Sequence, residues 1–226
     1  MRISYRWMIV AAGGLLGFVA AGAMFSLPIL LRPIAQETGW SITGISSAMT
    51  FGFLAMAAAS IVWGSLSDRF GPRPIVLAGS VMLALSLARA SRAETLGEFQ
   101  LIFGLLVGTA TAAVFAPMMA CVTGWFETRR GLAVSLVSAG MGMAPLTMAP
   151  LTAWLVTLHD WRSAMLIIAG IAASLMIPAA WLVRSPPAMH KGSNEMLADA
   201  LQADMSVQQA VRSPQFFTLM LANFFC

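Results

Sequence analysis

One short stretch of the sequence concentrates residues able to do something other than pack: Gly64-Ser65-Leu66-Ser67-Asp68-Arg69-Phe70-Gly71-Pro72-Arg73-Pro74. It places one acid and two bases in a tight turn between two apolar runs. Asp68 and Arg69 make a polar hinge in which an ion pair can be broken and remade as neighbouring helices rock. Gly64 permits close helix approach, and Gly71 permits a chain reversal at positive φ. A second basic turn, Trp125-Phe126-Glu127-Thr128-Arg129-Arg130-Gly131, separates two later apolar runs. The rest of the chain is poor in reactive groups. It holds no nucleophile–base pair and no paired carboxylates within an apolar run. Cys121 and Cys226 form no C-x-x-C and no cluster with His159 or His190, so neither a metal site nor a disulfide framework is implied. The expectation is a protein that is not an enzyme and carries no metal or cofactor. The two histidines lie in loops and are assigned no proton role.

The elements that position these turns are dictated by composition. The chain has 226 residues, 59% apolar and 10% charged, with mean hydropathy +0.82. Soluble domains carry about a quarter charged residues, so most of this surface must face lipid or itself. The net charge of +4 is scattered rather than gathered into a basic patch, which excludes nucleic acid as a partner. Stretches free of Asp, Glu, Lys and Arg cover 7–31, 38–67, 74–88, 99–126, 131–158 and 163–183. About 20 helical residues cross a ~30 Å hydrocarbon layer, which gives six spans near 7–31, 42–66, 74–92, 99–124, 131–157 and 163–183. The third lengthens past Arg89 and Arg92, whose stems can snorkel. The expected fold class is an all-α polytopic membrane protein.

The first run is too long for a signal-peptide core and reads as a retained span, not a cleaved one. With the N-terminus in the cytoplasm, nine basic residues fall on the inside (Arg2, Arg6, Arg69, Arg73, Arg129, Arg130, Arg184, Lys191, Arg212) and four outside (Arg32, Arg89, Arg92, Arg162). That asymmetry obeys the positive-inside rule and implies an integral protein of the cytoplasmic (inner or plasma) membrane. Residues 1–184 form the six-span bundle. Residues 185–214 change to a polar cytoplasmic linker, in which Ser206-Val207-Gln208-Gln209 fits a capping box opening a short helix at 207–212. Residues 215–226 start a seventh apolar run of about 16 Å, too short to span. The chain thus reads as six spans, a linker and the beginning of a seventh, either a truncated sequence or a half-length protein that assembles in pairs.

The turn at 64–74 resembles the signature loop of the major facilitator superfamily: Gly64, Asp68, Arg69, Gly71 and Arg73 match, while Pro74 replaces the last base. The run Trp125-Phe126-Glu127-Thr128-Arg129-Arg130, continuing to Ser138-Ala139-Gly140, resembles the monocarboxylate-transporter branch and the related oxalate/formate antiporters, as does the Arg73-Pro74 ending. Thr128 departs from a usual base, the opening before the first span reads only Ser4-Tyr5-Arg6-Trp7, and the first span has no lysine. Gly131, Gly140 and Ala144-Pro145 partly resemble the fifth-span motif of drug/proton antiporters, without its closing glycines.

The resemblance implies the N-terminal six-helix bundle of the major facilitator fold. Its partner would be a second six-helix half, toward which Asp68 bridges in one access state. The implied function is secondary transport of a small organic anion, a monocarboxylate, coupled to H+ or exchanged, by alternating access through the lipid bilayer. The alternatives are efflux of hydrophobic, drug-like compounds by antiport, and a non-transporting receptor or assembly protein on the same fold. Spans one, two, four and five would line the path, and none contains an ionised side chain, so the countercharge for an anion falls to the other half. Mid-depth candidates for the path are Phe25, Ser26, Thr50, Phe51, Thr109, Thr111, Phe115, Ser138, Met141 and Pro145. Their hydroxyls could bind a carboxylate and their apolar members could form a wall. Gly13-x-x-x-Gly17 and Gly104-x-x-x-Gly108 read as packing seams. Arg32 reads as an interfacial anchor. The pair Asp68-Arg69 after span two and Asp160-Trp161-Arg162 after span five is a faint echo of an inverted three-helix repeat.

Overall fold

The computed structural model describes residues 2–126 and 129–185. The expected linker with its expected short helix and the expected start of a seventh span lie outside the described residues, as do Glu127 and Thr128 of the second loop. Six helices are long and apolar enough to cross a membrane. The first span is α1 (Arg2–Phe25) followed by α2 (Leu27–Thr38); the second is α3 (Ile42–Phe70) and the third α4 (Pro72–Ala90). The fourth combines α5 (Leu96–Phe99), a π-helical stretch (Gln100–Val107) and α6 (Gly108–Trp125); the fifth is α7 (Arg130–Leu158) and the sixth α8 (Trp161–Leu182).

The helix ends show why some limits differ from those read off hydropathy. The first span continues to Thr38 rather than 31, because Arg32 and Glu37 sit on an exposed tip that stays helical beyond the apolar layer. It stops at Gly39, whose φ of 74° lets its N–H reach the Ala35 carbonyl. The third span ends at Ala90, with Arg92 in the following turn. Thr95 caps the start of the fourth, its hydroxyl accepting from the Glu98 amide at 3.2 Å. A single residue, Gly71, links α3 to α4. Its φ of 85° is open to glycine alone, and Pro72 opens the next helix where a missing N–H costs nothing.

Between helices in lipid there is no hydrophobic drive, so close approach depends on small residues. Span one crosses span five at Gly14 and Gly140, where a methyl added to Gly140 would lie 2.8 Å from the Gly14 carbonyl oxygen. Span four crosses span two at Gly108 and Gly52, where a Cβ on Gly108 would collide with the Gly52 backbone. Next to it, one on Gly104 would lie 2.9 Å from the Ala48 carbonyl oxygen. Spans one and four occupy equivalent places in two three-helix units, as do two and five. Spans three and six pack together, span one against six, and span four against three. The inverted repeat that is faint in the sequence is therefore explicit in the packing. Gly104-x-x-x-Gly108 is a backbone seam as expected. Gly13 and Gly17 instead receive the side chains of Met118 and Met141, and the backbone contact belongs to Gly14 between them.

The first and fourth spans are the most buried and the second and fifth the least. Large apolar side chains on the latter, among them Phe51, Leu54, Ile61, Leu136, Met143 and Leu146, stay exposed. The core runs through the bundle from Ile9 and Leu16 past Leu83 and Leu87 to Phe99, Phe103 and Trp161.

Candidate functional site

In the signature loop Asp68 is exposed and, among the described residues, makes no ion pair. Arg69 lies over the Phe70 ring at 5.5 Å. The expected Asp68–Arg69 pair is absent because adjacent residues on a helix point in different directions. Gly71 adopts the expected positive φ. Gly64 lies against open space, with nothing within 4 Å of an added Cβ, so any close approach it permits is not to a described part of this chain. Arg73, the second residue of α4, reaches across to stack over the Trp181 ring of span six at 5.1 Å. A Cβ on Gly71 would lie 3.1 Å from the Ser185 hydroxyl. The Ser67 hydroxyl is buried without a partner among the described residues.

The second loop joins the same place. Arg130 donates from Nε to the Phe126 carbonyl at 2.7 Å, closing the turn, while Arg129 is exposed. Trp125 donates from Nε1 to the Arg184 carbonyl at 2.9 Å, and Cys121 Sγ donates to the same oxygen at 3.4 Å. Tyr5 donates to the Leu182 carbonyl at 2.9 Å, its ring lying under the Arg184 guanidinium at 5.4 Å and 5.6 Å from Trp125. Trp7 meets Phe126 edge-on at 5.4 Å. The ends of spans one and four and the signature loop therefore converge on residues 181–185, where the chain leaves span six. Sequence reasoning named Trp125 in the second loop, Tyr5 in the opening before span one and Arg184 among the inside bases, but not Trp181 and not their convergence; aromatic residues beside arginines at span ends were the available signal.

Along the expected path the ten candidates separate. Ser26 and Thr111 are buried and donate to their own helices, to Ala23 and Val107 carbonyls, each at 2.7 Å. Met141 packs on Gly17, and Phe51 on Gly104. Phe25, Thr50 and Ser138 are exposed, and Thr109 and Pro145 half-buried. Phe115 lines a cleft of about 300 Å³ between spans two and four, together with Met56, Ala57, Ser60, Ala112 and Met119. The Ser60 hydroxyl donates to the Ala57 carbonyl, leaving its oxygen free to accept. Met56, Ser60 and Met119 were not predicted, because a methionine or serine in an apolar helix carries no positional signal. Gln100 also escaped notice. It ties span four to span two by donating to the Gly44 carbonyl at 2.8 Å and the Ser47 hydroxyl at 2.9 Å.

On the opposite face, the turn between spans five and six holds Asp160-Trp161-Arg162. The Ser163 hydroxyl, and to a smaller extent backbone amides, hold the Asp160 carboxyl below its ordinary range.

Comparison with known proteins agrees with this architecture. The family model of the Major Facilitator Superfamily matches residues 12–226. Monocarboxylate transporter 13 of Bos taurus is 31% identical over 178 residues, 79% of this chain and 42% of that protein. The oxalate:formate antiporter of Oxalobacter formigenes is 24% identical over 219 residues, 97% of this chain and 51% of its own length. The fujikurins efflux protein of Gibberella fujikuroi is 24% identical over 183 residues, 79% of this chain and 39% of its own length. The chain thus spans between about two-fifths and half of the length of these three relatives. With a match over nearly its whole length, six membrane-length helices and a packing built from two inverted three-helix units, the chain is an integral membrane protein that belongs to the major facilitator superfamily.

Proposed function

We propose that this chain is the N-terminal six-helix half of a secondary transporter that moves a small organic anion, a monocarboxylate, by alternating access against a second six-helix half. The observation that carries the reading is the Phe115 cleft: it is walled by phenylalanine, methionine and alanine, offers one serine oxygen, and lies in a path without an ionised side chain. Such a surface suits the hydrocarbon part of an amphipathic anion and leaves its carboxylate to a base on the other half. Similarity to a monocarboxylate transporter and an oxalate:formate antiporter supports the same class. The exposed faces of spans two and five are where the second half would pack, and Asp68, exposed on the signature loop, is where the two halves would latch.

The basic residues of the signature loop and second loop orient that face, and with it the N-terminus, toward the cytoplasm. Uptake of labelled short monocarboxylates into proteoliposomes holding the complete protein, with and without a counter-anion or proton gradient inside, tests the reading. Saturable uptake is expected, and absence of both flux and exchange would sink the substrate claim. The apolar cleft and the similarity to an efflux protein favour one second reading, export of a hydrophobic compound. An arginine or lysine inside the spans of the second half counts against export, and its absence counts for it.

A further inference from the structure

The inverted repeat has a consequence at the outer face. Arg73 and Arg162 are each the second residue of their span, α4 and α8, after a tight turn from the span before. Arg73 reaches from the start of span three to the end of span six, over Trp181. Arg162 reaches from the start of span six to the end of span three, where its Nη1 donates to the carbonyls of Ser91 at 2.8 Å and Ala93 at 3.2 Å. The two arginines thus occupy equivalent positions at opposite faces, each reaching from the start of its own span to the end of the other's, Arg73 by a ring stack and Arg162 by hydrogen bonds to carbonyls. The Arg162 guanidinium also lies over the neighbouring Trp161 ring at 4.5 Å, and its Nε lies 3.6 Å from Glu37 Oε1, near the tip of α2.

α2 continues the first span past an interruption of the helical ladder at Ser26, which itself keeps helical dihedrals (φ −70°, ψ −28°): Pro28 has no N–H to continue the ladder, and a second proline, Pro33, loosens the middle of α2. One face of α2, Leu27, Leu30 and Ile34, is buried against the bundle. The side toward the turn between spans five and six is not filled: a cleft of about 400 Å³ separates Pro33, Gln36 and Glu37 from Val156, His159 and Asp160. Across that cleft the Glu37–Arg162 pair is the direct tie, and both side chains are partly exposed, so the tie can be made and broken.

We propose that Arg162 is the outer-face counterpart of the signature-loop Arg73 and a positioning residue for the transport cycle. It is fixed to span three through backbone carbonyls and tied reversibly to α2 through Glu37, so that the outer third of span one pivots at Ser26 against it. This rests on the alternating-access reading, but its test needs no substrate. In the complete protein with every native cysteine replaced by serine, Cys121 and Cys226 among them, a single cysteine is placed at the buried Ile34 (Ile34→Cys). Its labelling by an impermeant maleimide supplied on both sides of proteoliposomes is then timed. Glu37→Gln, which removes the tie and leaves the carbonyl bonds, is expected to speed labelling about three- to fivefold with an unchanged melting temperature. High salt is expected to speed the parent and leave Glu37→Gln unaffected. Leu30→Cys serves the same purpose if Ile34→Cys does not fold. Unchanged labelling in Glu37→Gln, or faster labelling that merely follows a fall in melting temperature, overturns the proposal. Missing carboxylate flux with the expected labelling pattern would sink only the substrate claim.

Discussion

At the scale of single residues, what distinguishes the polar side chains of this bundle is whether their hydrogen bonds are already used. Ser26 and Thr111 donate to carbonyls of their own helices, and replacing them removes little that reaches outward. Thr152 is different: it is fully buried and its hydroxyl has no partner among the described residues. Thr152→Val keeps the shape and removes the unpaired group, so the melting temperature in detergent should hold or rise, by up to about 1 kcal/mol of stability. Asp68 lies at the other extreme, exposed and unpaired among the described residues. On the proposed reading, in which its charge serves exchange between access states, Asp68→Asn in the complete protein should leave insertion and thermal stability unchanged and lower the transport rate. Normal flux in that variant would remove the role assigned to it.

Elements in this bundle are held together where glycines let backbones touch. Gly108→Val forces a branched side chain into the Gly52 backbone, and the crossing of spans two and four cannot widen without lifting Gln100 off Gly44 and Ser47. A loss of about 3 kcal/mol or more is expected, read as collapse of the monodisperse peak on size exclusion. Gly170→Ala, in span six with nothing within 4 Å of an added Cβ, should instead be neutral or gain about 0.5–1 kcal/mol. The Arg73–Trp181 stack joins the starts and ends of spans three and six. A double-mutant cycle with Arg73→Ala and Trp181→Ala should show a coupling of about 0.5–1 kcal/mol, the range for an exposed cation–π contact.

For the whole molecule, the division of exposure among spans carries the functional argument. The first span is wrapped mainly by spans five and six and the fourth by spans two and three, in each case helices of the other three-helix unit, while the second and fifth keep apolar faces open, which suits the proposed meeting with a second bundle. If Phe115 contributes to that path, Phe115→Ala in the complete protein should raise the apparent KM for the preferred carboxylate severalfold while leaving folding intact, since the side chain is only half-buried. Equal KM values for variant and parent would move the binding surface away from the cleft.

Six apolar spans, two basic turns between them and the lack of charge within the apolar runs follow from the order of residues alone. Those are one-dimensional properties, because lipid demands about 20 apolar residues in a helix whichever neighbours it meets. The tight reversal at Gly71 was legible for a similar reason, since a positive φ selects glycine locally. Which faces meet was decided only by the tertiary structure. Lipid and protein interior are equally apolar, so no stripe marks the buried side, and Gly14 carries no more signal than Gly13 or Gly17 until Gly140 is seen against it. The same holds for Arg162. In the chain it is one more base at a span end; in the fold it lies against the last carbonyls of span three, 71 residues away from Ser91, and beside Glu37.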